Sequence, residues 1–244
     1  MSEADQVDRI DAQLRDAGPS PLRAVYTDDP SYYSFARRDI ESLLPAHYDR
    51  VLEVGCGSGN TLAWLRSRQP GATTIGIELN AAVEAELRAN ATQVHIGDAS
   101  RPPAGTLPVD LMLFLDVLEH FPNPGAVLAN YLPLLQPGGT LIVSLPNIAH
   151  YSVVLPLLLR RRFDYADAGI LDRTHLQFFT AETAVGMLHG AGMIVTDGIA
   201  IGPSRGRTRT FDRLTLGIFR HYLASQYLLR AEAGSVQPPL RWRA

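Results

Sequence analysis

The sequence predicts a single α/β domain in which a mainly parallel sheet carries helices on both faces. Three observations point there. Short apolar runs of strand length alternate with helix-length segments from Val51 to Glu232, the pattern of strand–helix–strand units. The first run, Val51-Leu52-Glu53-Val54, breaks into Gly55-Cys56-Gly57-Ser58-Gly59 and then a helix-like stretch, so backbone N–H groups at a helix N-terminus are offered to a ligand. A chain of 244 residues is long enough for one doubly wound domain with a modest insertion and too short for two large ones.

The elements follow in order. Residues 1–20 read as a polar arm, helical from Gln6 to Arg15 and closed by Gly18-Pro19-Ser20-Pro21. Tyr26, Tyr32, Tyr33 and Phe35 lead into a helix-like segment, Ala36 to Leu44, before the first strand. Asn60 to Arg68 carries helix signals. Thr73 to Glu78 is a second strand ending in an acid, His95-Ile96-Gly97-Asp98 closes a third, and Asp110 to Asp116 is a fourth. Asn123-Pro124-Gly125 starts a helix through Leu135, and Gln136-Pro137-Gly138-Gly139 turns into a fifth strand, Thr140 to Leu145. The stretch 147–180 is much longer than an ordinary strand-to-helix loop, which predicts a cap over the substrate. A helix over Ala181 to Ala191, a strand from Met193 to Ile199, a loop with Arg205, Arg207 and Arg209, a helix from Phe211 to Leu223 and a strand from Gln226 to Glu232 complete the domain. The Pro- and Arg-rich tail, 235–244, reads as frayed.

Composition removes several function classes. Cys56 is the single cysteine, so no intrachain disulfide forms. All basic residues are arginine, and without lysine there is neither Schiff-base chemistry nor a pyridoxal phosphate anchor. A net charge of −3 disfavours a nucleic-acid partner. The charged N-terminus lacks the apolar core of a signal peptide, so a cytoplasmic location is expected. The apolar run Val153 to Leu159 is far below the roughly 20 residues of a bilayer crossing. Arg160-Arg161-Arg162 follow it directly and leave room for peripheral membrane contact or a clamp on an acidic acceptor, while Pro156 should interrupt any helix through the run. No feature points to an oligomeric state.

The glycine spacing departs from the dinucleotide fingerprint, because Asn60 stands where a third glycine or alanine belongs. The ordered set of Gly55, Gly57, Glu78, Asp98 and the fourth-strand end Leu115-Asp116-Val117-Leu118-Glu119-His120 instead resembles the class I S-adenosylmethionine (SAM)-dependent methyltransferases. That resemblance implies a Rossmann-like, seven-stranded, mostly parallel sheet with an antiparallel last strand and a cap insertion after strand 5. It implies SAM as cofactor, with Glu53, Gly55, Cys56, Gly57 and Gly59 around its methionine and ribose. Glu78 would hold the ribose, Asp98 with Ala99 the adenine, and Asp116 would border the adenosine. Arg37 or Arg38 would pair with the methionine carboxylate through a guanidinium fork.

The Asp116 to His120 segment resembles small-molecule O-methyltransferases, including those of quinone biosynthesis, which implies methyl transfer to a hydroxyl of a small-molecule acceptor such as a sugar or secondary metabolite. N-methylation, metal-dependent methylation of a diol, as on an RNA 2'-hydroxyl, and a SAM-binding partner protein without catalysis stand as alternatives. An alcohol acceptor needs a proton removed, and His120, His150 and His175, with Tyr151 and Asp172 as polar neighbours, are the candidates. His175 lies in a segment, Gly169 to Thr180, that resembles the cap of bacterial methyltransferases of surface-glycan and natural-product pathways. Asp116, Glu119, His120 and His175 make a divalent metal site imaginable. The plainer reading, preferred here, has Asp116 bordering the adenosine and Glu119 capping a helix or pairing with an arginine, because a local acid–histidine cluster alone is a poor metal signature.

Overall fold

The computed structural model describes residues 35–202, 214–215, 219–234, 240 and 242–243. The polar arm, the three leading tyrosines, Arg205, Arg207, Arg209 and the start of the helix expected from Phe211 lie outside the described residues.

Six α-helices and eight strands are labelled here in chain order, among the described residues. The strands are β1 (Arg50–Val54), β2 (Thr73–Glu78), β3 (Gln93–Ile96), β4 (Val109–Leu115), β5 (Leu135–Pro146), β6 (Met193–Ile201), β7 (Gln226–Ala233) and β8 (Trp242–Arg243). The helices are α1 (Asn60–Arg68), α2 (Glu84–Asn90), α3 (Pro124–Tyr131), α4 (Tyr151–Arg160), α5 (Ala181–Gly190) and the single turn α6 (Arg220–Leu223). They build one sheet of order β3-β2-β1-β4-β5-β7-β6-β8. β7 is antiparallel to both neighbours, and every other pairing is parallel. Strand order reverses between β1 and β4, the position where open α/β sheets leave a crevice at the carboxyl ends of their strands.

Both faces of the sheet are covered, which is why its strands read as continuous apolar runs rather than alternating ones. Leu52, Val54, Met112, Phe114 and Val143 point to one side, against Val127, Leu128 and Tyr131 of α3 and Ala184 and Leu188 of α5. Val51, Leu111, Leu113 and Ile142 point to the other, against Leu62, Leu65 and Leu87 of α1 and α2. Tyr131 meets Phe114 edge to face at 5.4 Å, and its hydroxyl donates to the Ala99 carbonyl at 3.0 Å. The loop after β3 is thereby tied to α3.

Four expectations need correction. The segment expected as a helix over Ala36 to Leu44 is a 3₁₀ helix, Arg38–Leu43, in which Ile40 and Leu43 fall three residues apart on one buried edge. That spacing suits three residues per turn. α3 stops at Tyr131, and β5 starts at Leu135, pairing with Val109 before a register shift carries it past Gly138 to Thr140. Helix α4 continues through Pro156, which removes one helical N–H donor, on an element with Leu155, Leu157, Leu158 and Leu159 exposed. The tail is docked at Trp242–Arg243 rather than frayed, so the sheet has eight strands and not seven. Trp242 covers Gly198, where a Cβ would come within 2.9 Å of the indole, and Arg243 Nε donates to Asp197 at 2.8 Å.

Residues 147–180 hold α4 and a coil pinned at three places. Asn147 bridges Phe179, Ala166 bridges Asp172, and the Leu176 and Gln177 N–H groups both donate to the Glu119 carbonyl. Among the described residues no helix is long and apolar enough to cross a membrane.

Candidate functional site

A cavity of about 600 Å³ opens at the carboxyl ends of β1, β2 and β4. Its lining includes Glu53, Gly55, Cys56, Gly57, Glu78, Asp98, Ala99 and Asp116, so the cofactor residues expected from sequence come together, with Gly59 and Arg38 outside the lining. The loop after β1 turns across the end of β2, where Gly55 and Cys56 N–H groups donate to the Ile77 carbonyl at 2.8 and 3.2 Å. Gly55 needs to be glycine: its φ is +72°, and a Cβ would stand 2.5 Å from Val117 Cγ2. Gly59, at φ +78°, is the N-cap of α1, and its bare α-carbon lies against Leu87 of α2. It shapes the loop from behind.

Glu78 closes the floor. Its Oε2 accepts from Gly57 N and its Oε1 from Asn80 N, both at 2.8 Å. Burial raises its pKa, and those N–H groups offset part of the rise. Asp98 sits at the exposed lip, where its two oxygens accept from Ser100 N and Ser100 Oγ. Glu53 lies deeper: 3% exposed, with Oε2 lacking a hydrogen-bond partner among the described residues. Burial pushes its pKa up to about 8, against the opposing pull of Arg37 and Thr61. An unpartnered buried acceptor, a glycine loop without Cβ atoms and two carboxylates on one wall fit a cofactor carrying an ammonium group and a ribose, as SAM does.

Arg37 does not present the expected fork. Nε and Nη2 donate to Asp39, Nη2 also to Ser144, and Nη1 to Asp116, so four of its five N–H groups are engaged. Burial works against its charge, but Asp116, Asp39 and Glu53 outweigh that and hold the guanidinium above its ordinary range. Arg37 braces Asp116 instead. Asp116 has φ +53°, a left-handed conformation that aspartate tolerates better than most residues, and Ser144 Oγ at 2.6 Å and Gln226 Nε2 bond the same carboxylate. Ser144 and Gln226 carry no sequence signal, because strand pairing delivers them from 28 and 110 residues away.

Asp116 and His120 also line a second, smaller chamber of about 250 Å³, together with Glu119, Gly169, Ile170, Asp172 and His175. The two imidazoles meet at 4.9 Å. His120 Nδ1 donates to the Thr174 carbonyl at 3.2 Å and His175 Nδ1 to the Ile170 carbonyl at 3.0 Å, so in the neutral form of each ring Nε2 carries the lone pair. Asp172 does not orient the His175 ring; its Oδ1 accepts from Thr174 N and Oγ1. Burial, and then His175, lower the pKa of His120. Glu119 is 1% exposed, and burial together with Asp116 pushes its pKa well above the usual carboxylate range. It neither caps a helix nor bonds an arginine, and neither of its oxygens has a hydrogen-bond partner among the described residues. His150 is the histidine the fold leaves aside. It caps α4 through Ser152 and lines neither cavity.

Known methyltransferases resemble this chain over much of its length. A family model for a methyltransferase domain matches residues 23–197. The trans-aconitate 2-methyltransferase of Azoarcus sp. is 32% identical over 49% of this chain and 51% of its own length, so the chain spans about half of that relative. The ubiquinone biosynthesis O-methyltransferase of Rhodopseudomonas palustris is 29% identical over 77% of this chain and 76% of its own. Among solved structures, a SAM-dependent methyltransferase of Mesorhizobium loti superimposes with a TM-score of 0.56 at 16% identity, covering 79% of this chain and 95% of that one. At that identity the likeness is one of fold.

Proposed function

We propose that this chain, which belongs to the methyltransferase-domain family and is a SAM-dependent methyltransferase, transfers the methyl group to a hydroxyl oxygen of a small molecule such as a sugar or secondary metabolite. SAM supplies a methyl group already activated by its sulfonium, so the protein's own work is to align the acceptor oxygen and dispose of its proton. The shared wall carries this reading: Asp116 and His120 line both the cofactor-sized cavity and the polar chamber beside it. An acceptor in the chamber meets His120 and His175, the groups suited to removing a hydroxyl proton. Residues 147–180 serve as its cap, supported by the Gly169, Ile170, Asp172 and His175 lining and by the anchoring of Leu176 and Gln177 to Glu119.

Glu53, Gly55, Gly57, Glu78 and Asp98 would hold the cofactor. A nitrogen acceptor depends less on a base than a hydroxyl does, and the two histidines of the chamber favour oxygen on that ground. Labelled SAM incubated with fractionated small-molecule extract of the source cells tests the proposal, with mass spectrometry of the product. Label on a hydroxyl oxygen supports it; label on nitrogen, or on macromolecules only, overturns it.

A further inference from the structure

We infer that Gln226 is a positioning residue for methyl transfer: from the acceptor side it holds the Asp116 carboxylate, whose one remaining hydrogen-bond site receives the acceptor. Asp116 lines both the cofactor cavity and the smaller chamber, and its side chain is 38% exposed. A carboxylate offers about four acceptor positions. Ser144 Oγ and Gln226 Nε2 take two on Oδ1, and Arg37 Nη1 takes one on Oδ2. One position is left, on Oδ2, in a side chain that borders both binding spaces.

The donors divide between those spaces. Arg37 lines the cofactor cavity and not the chamber, Gln226 lines the chamber and not the cavity, and Ser144 is buried. Asp116 is therefore gripped from each side of the wall it forms. The grip is a closed network, because Gln226 Nε2 also donates to Ser144 Oγ at 2.7 Å and Arg37 Nη2 donates to the same oxygen at 3.1 Å. Bonded at both oxygens, the carboxylate cannot turn about its last torsion without breaking hydrogen bonds. A left-handed backbone at a residue other than glycine persists only where its surroundings over-determine it, and Asp116, at φ +53°, is such a residue.

Sheet topology supplies Gln226. β7 runs antiparallel to β5, so its first residue arrives at the edge where β4 ends: Gln226 pairs with Pro146, and Ser144 with Leu115. Asn147 ties that strand start to the root of the cap, its N–H donating to the Ser225 carbonyl at 2.9 Å. Held beside a guanidinium, the carboxylate is suited to orienting a hydroxyl through a charge-assisted hydrogen bond, while His120 and His175 are left to take the proton. This role rests on the methyl-transfer reading.

Steady-state kinetics with labelled SAM and the extract fraction that accepts label, paired with calorimetry of S-adenosylhomocysteine, tests the assignment in the full chain. Gln226→Leu should lower kcat/KM for the acceptor about 10- to 100-fold and leave S-adenosylhomocysteine affinity within about twofold of wild type. Gln226→Glu adds a readout that a merely structural role would not move. Its protonated carboxyl donates to Asp116 as the amide does, whereas its ionised form repels it. The ratio of variant to wild-type kcat/KM should be highest at about pH 5.5 and fall as pH rises toward about 8.5. Asp116, Glu119, His120, Asp172 and His175 of the chamber, and Arg37 beside Asp116, are common to both proteins, so the ratio isolates the substituted side chain. Unchanged kcat/KM in folded Gln226→Leu, a flat ratio for Gln226→Glu, or a loss of S-adenosylhomocysteine affinity as large as the loss of kcat/KM overturns this role alone. Should Gln226→Leu fail to fold, Gln226→Glu still decides. A folded wild-type chain that moves no label to any fraction overturns the methyl-transfer reading, and this role with it.

Discussion

The cofactor cavity and the histidine chamber share a wall, yet they are built in opposite ways. The cavity is a row of strand ends: Gly55 and Gly57 after β1, Glu78 at the end of β2, Asp98 after β3 and Asp116 after β4. Its central contacts are backbone contacts, with Glu78 itself held by the N–H groups of Gly57 and Asn80. The chamber is a meeting of side chains from two distant segments, and 54 residues separate His120 from the carbonyl that fixes its tautomer. A site made of backbone spreads its binding energy over many groups. A site made of three converging side chains concentrates its chemistry in each one, so the two regions should answer mutation differently: the chamber in turnover, the cavity in affinity.

The largest effect is expected at the chamber. His175→Ala should cut turnover by roughly 10² to 10⁴ while leaving S-adenosylhomocysteine affinity nearly intact, because the ring lines the small chamber and not the large one. Steady-state kinetics with an identified acceptor, paired with calorimetry, reads both quantities. Near-normal turnover in a folded variant would break the comparison. A smaller effect of the opposite kind is expected at Glu78→Ala. Loss of a buried acceptor should weaken S-adenosylhomocysteine binding by about 1 to 3 kcal/mol, with turnover at saturating SAM largely kept. Unchanged affinity there would mean that the cavity does not hold the cofactor by this wall.

Legibility in the sequence followed the same division. Gly55 and Glu78 were readable because a strand that ends in left-handed backbone needs glycine, and the next strand end must carry what the loop faces. The eighth strand was not, since Trp242–Arg243 is held by Gly198, Tyr227 and Asp197, none of them near in sequence. Arg37 shows the limit most plainly. Its residue type promised a fork for a carboxylate, but a guanidinium bonds whatever carboxylates the fold brings, and the fold brought Asp39 and Asp116. The histidines were found as residue types, while the lone-pair directions that give them meaning depend on the Ile170 and Thr174 carbonyls of the cap segment.

The smallest effect sharpens the comparison without any ligand. Glu53 has a folded pKa of about 8, raised by burial first and moderated by Arg37 and Thr61, against an ordinary value of 4.5. Between those values the folded chain binds a proton that the unfolded chain has released, so this contribution to stability is fully present below pH 4.5 and is lost as pH rises toward 8. Glu53→Gln keeps the shape and removes the titration. Urea denaturation of both proteins from pH 5 to pH 8 should therefore show the variant gaining on the wild type as pH rises, by about 1.4 kcal/mol per pH unit at most. The difference between the two curves isolates Glu53 from the groups that both proteins share. A flat difference would mean that Glu53 ionises normally in the fold, with Arg37 neutralising it despite the claims of Asp39 and Asp116. The cavity floor would then be an ion pair, and its unpartnered oxygen would no longer mark the place for a cationic group of the cofactor.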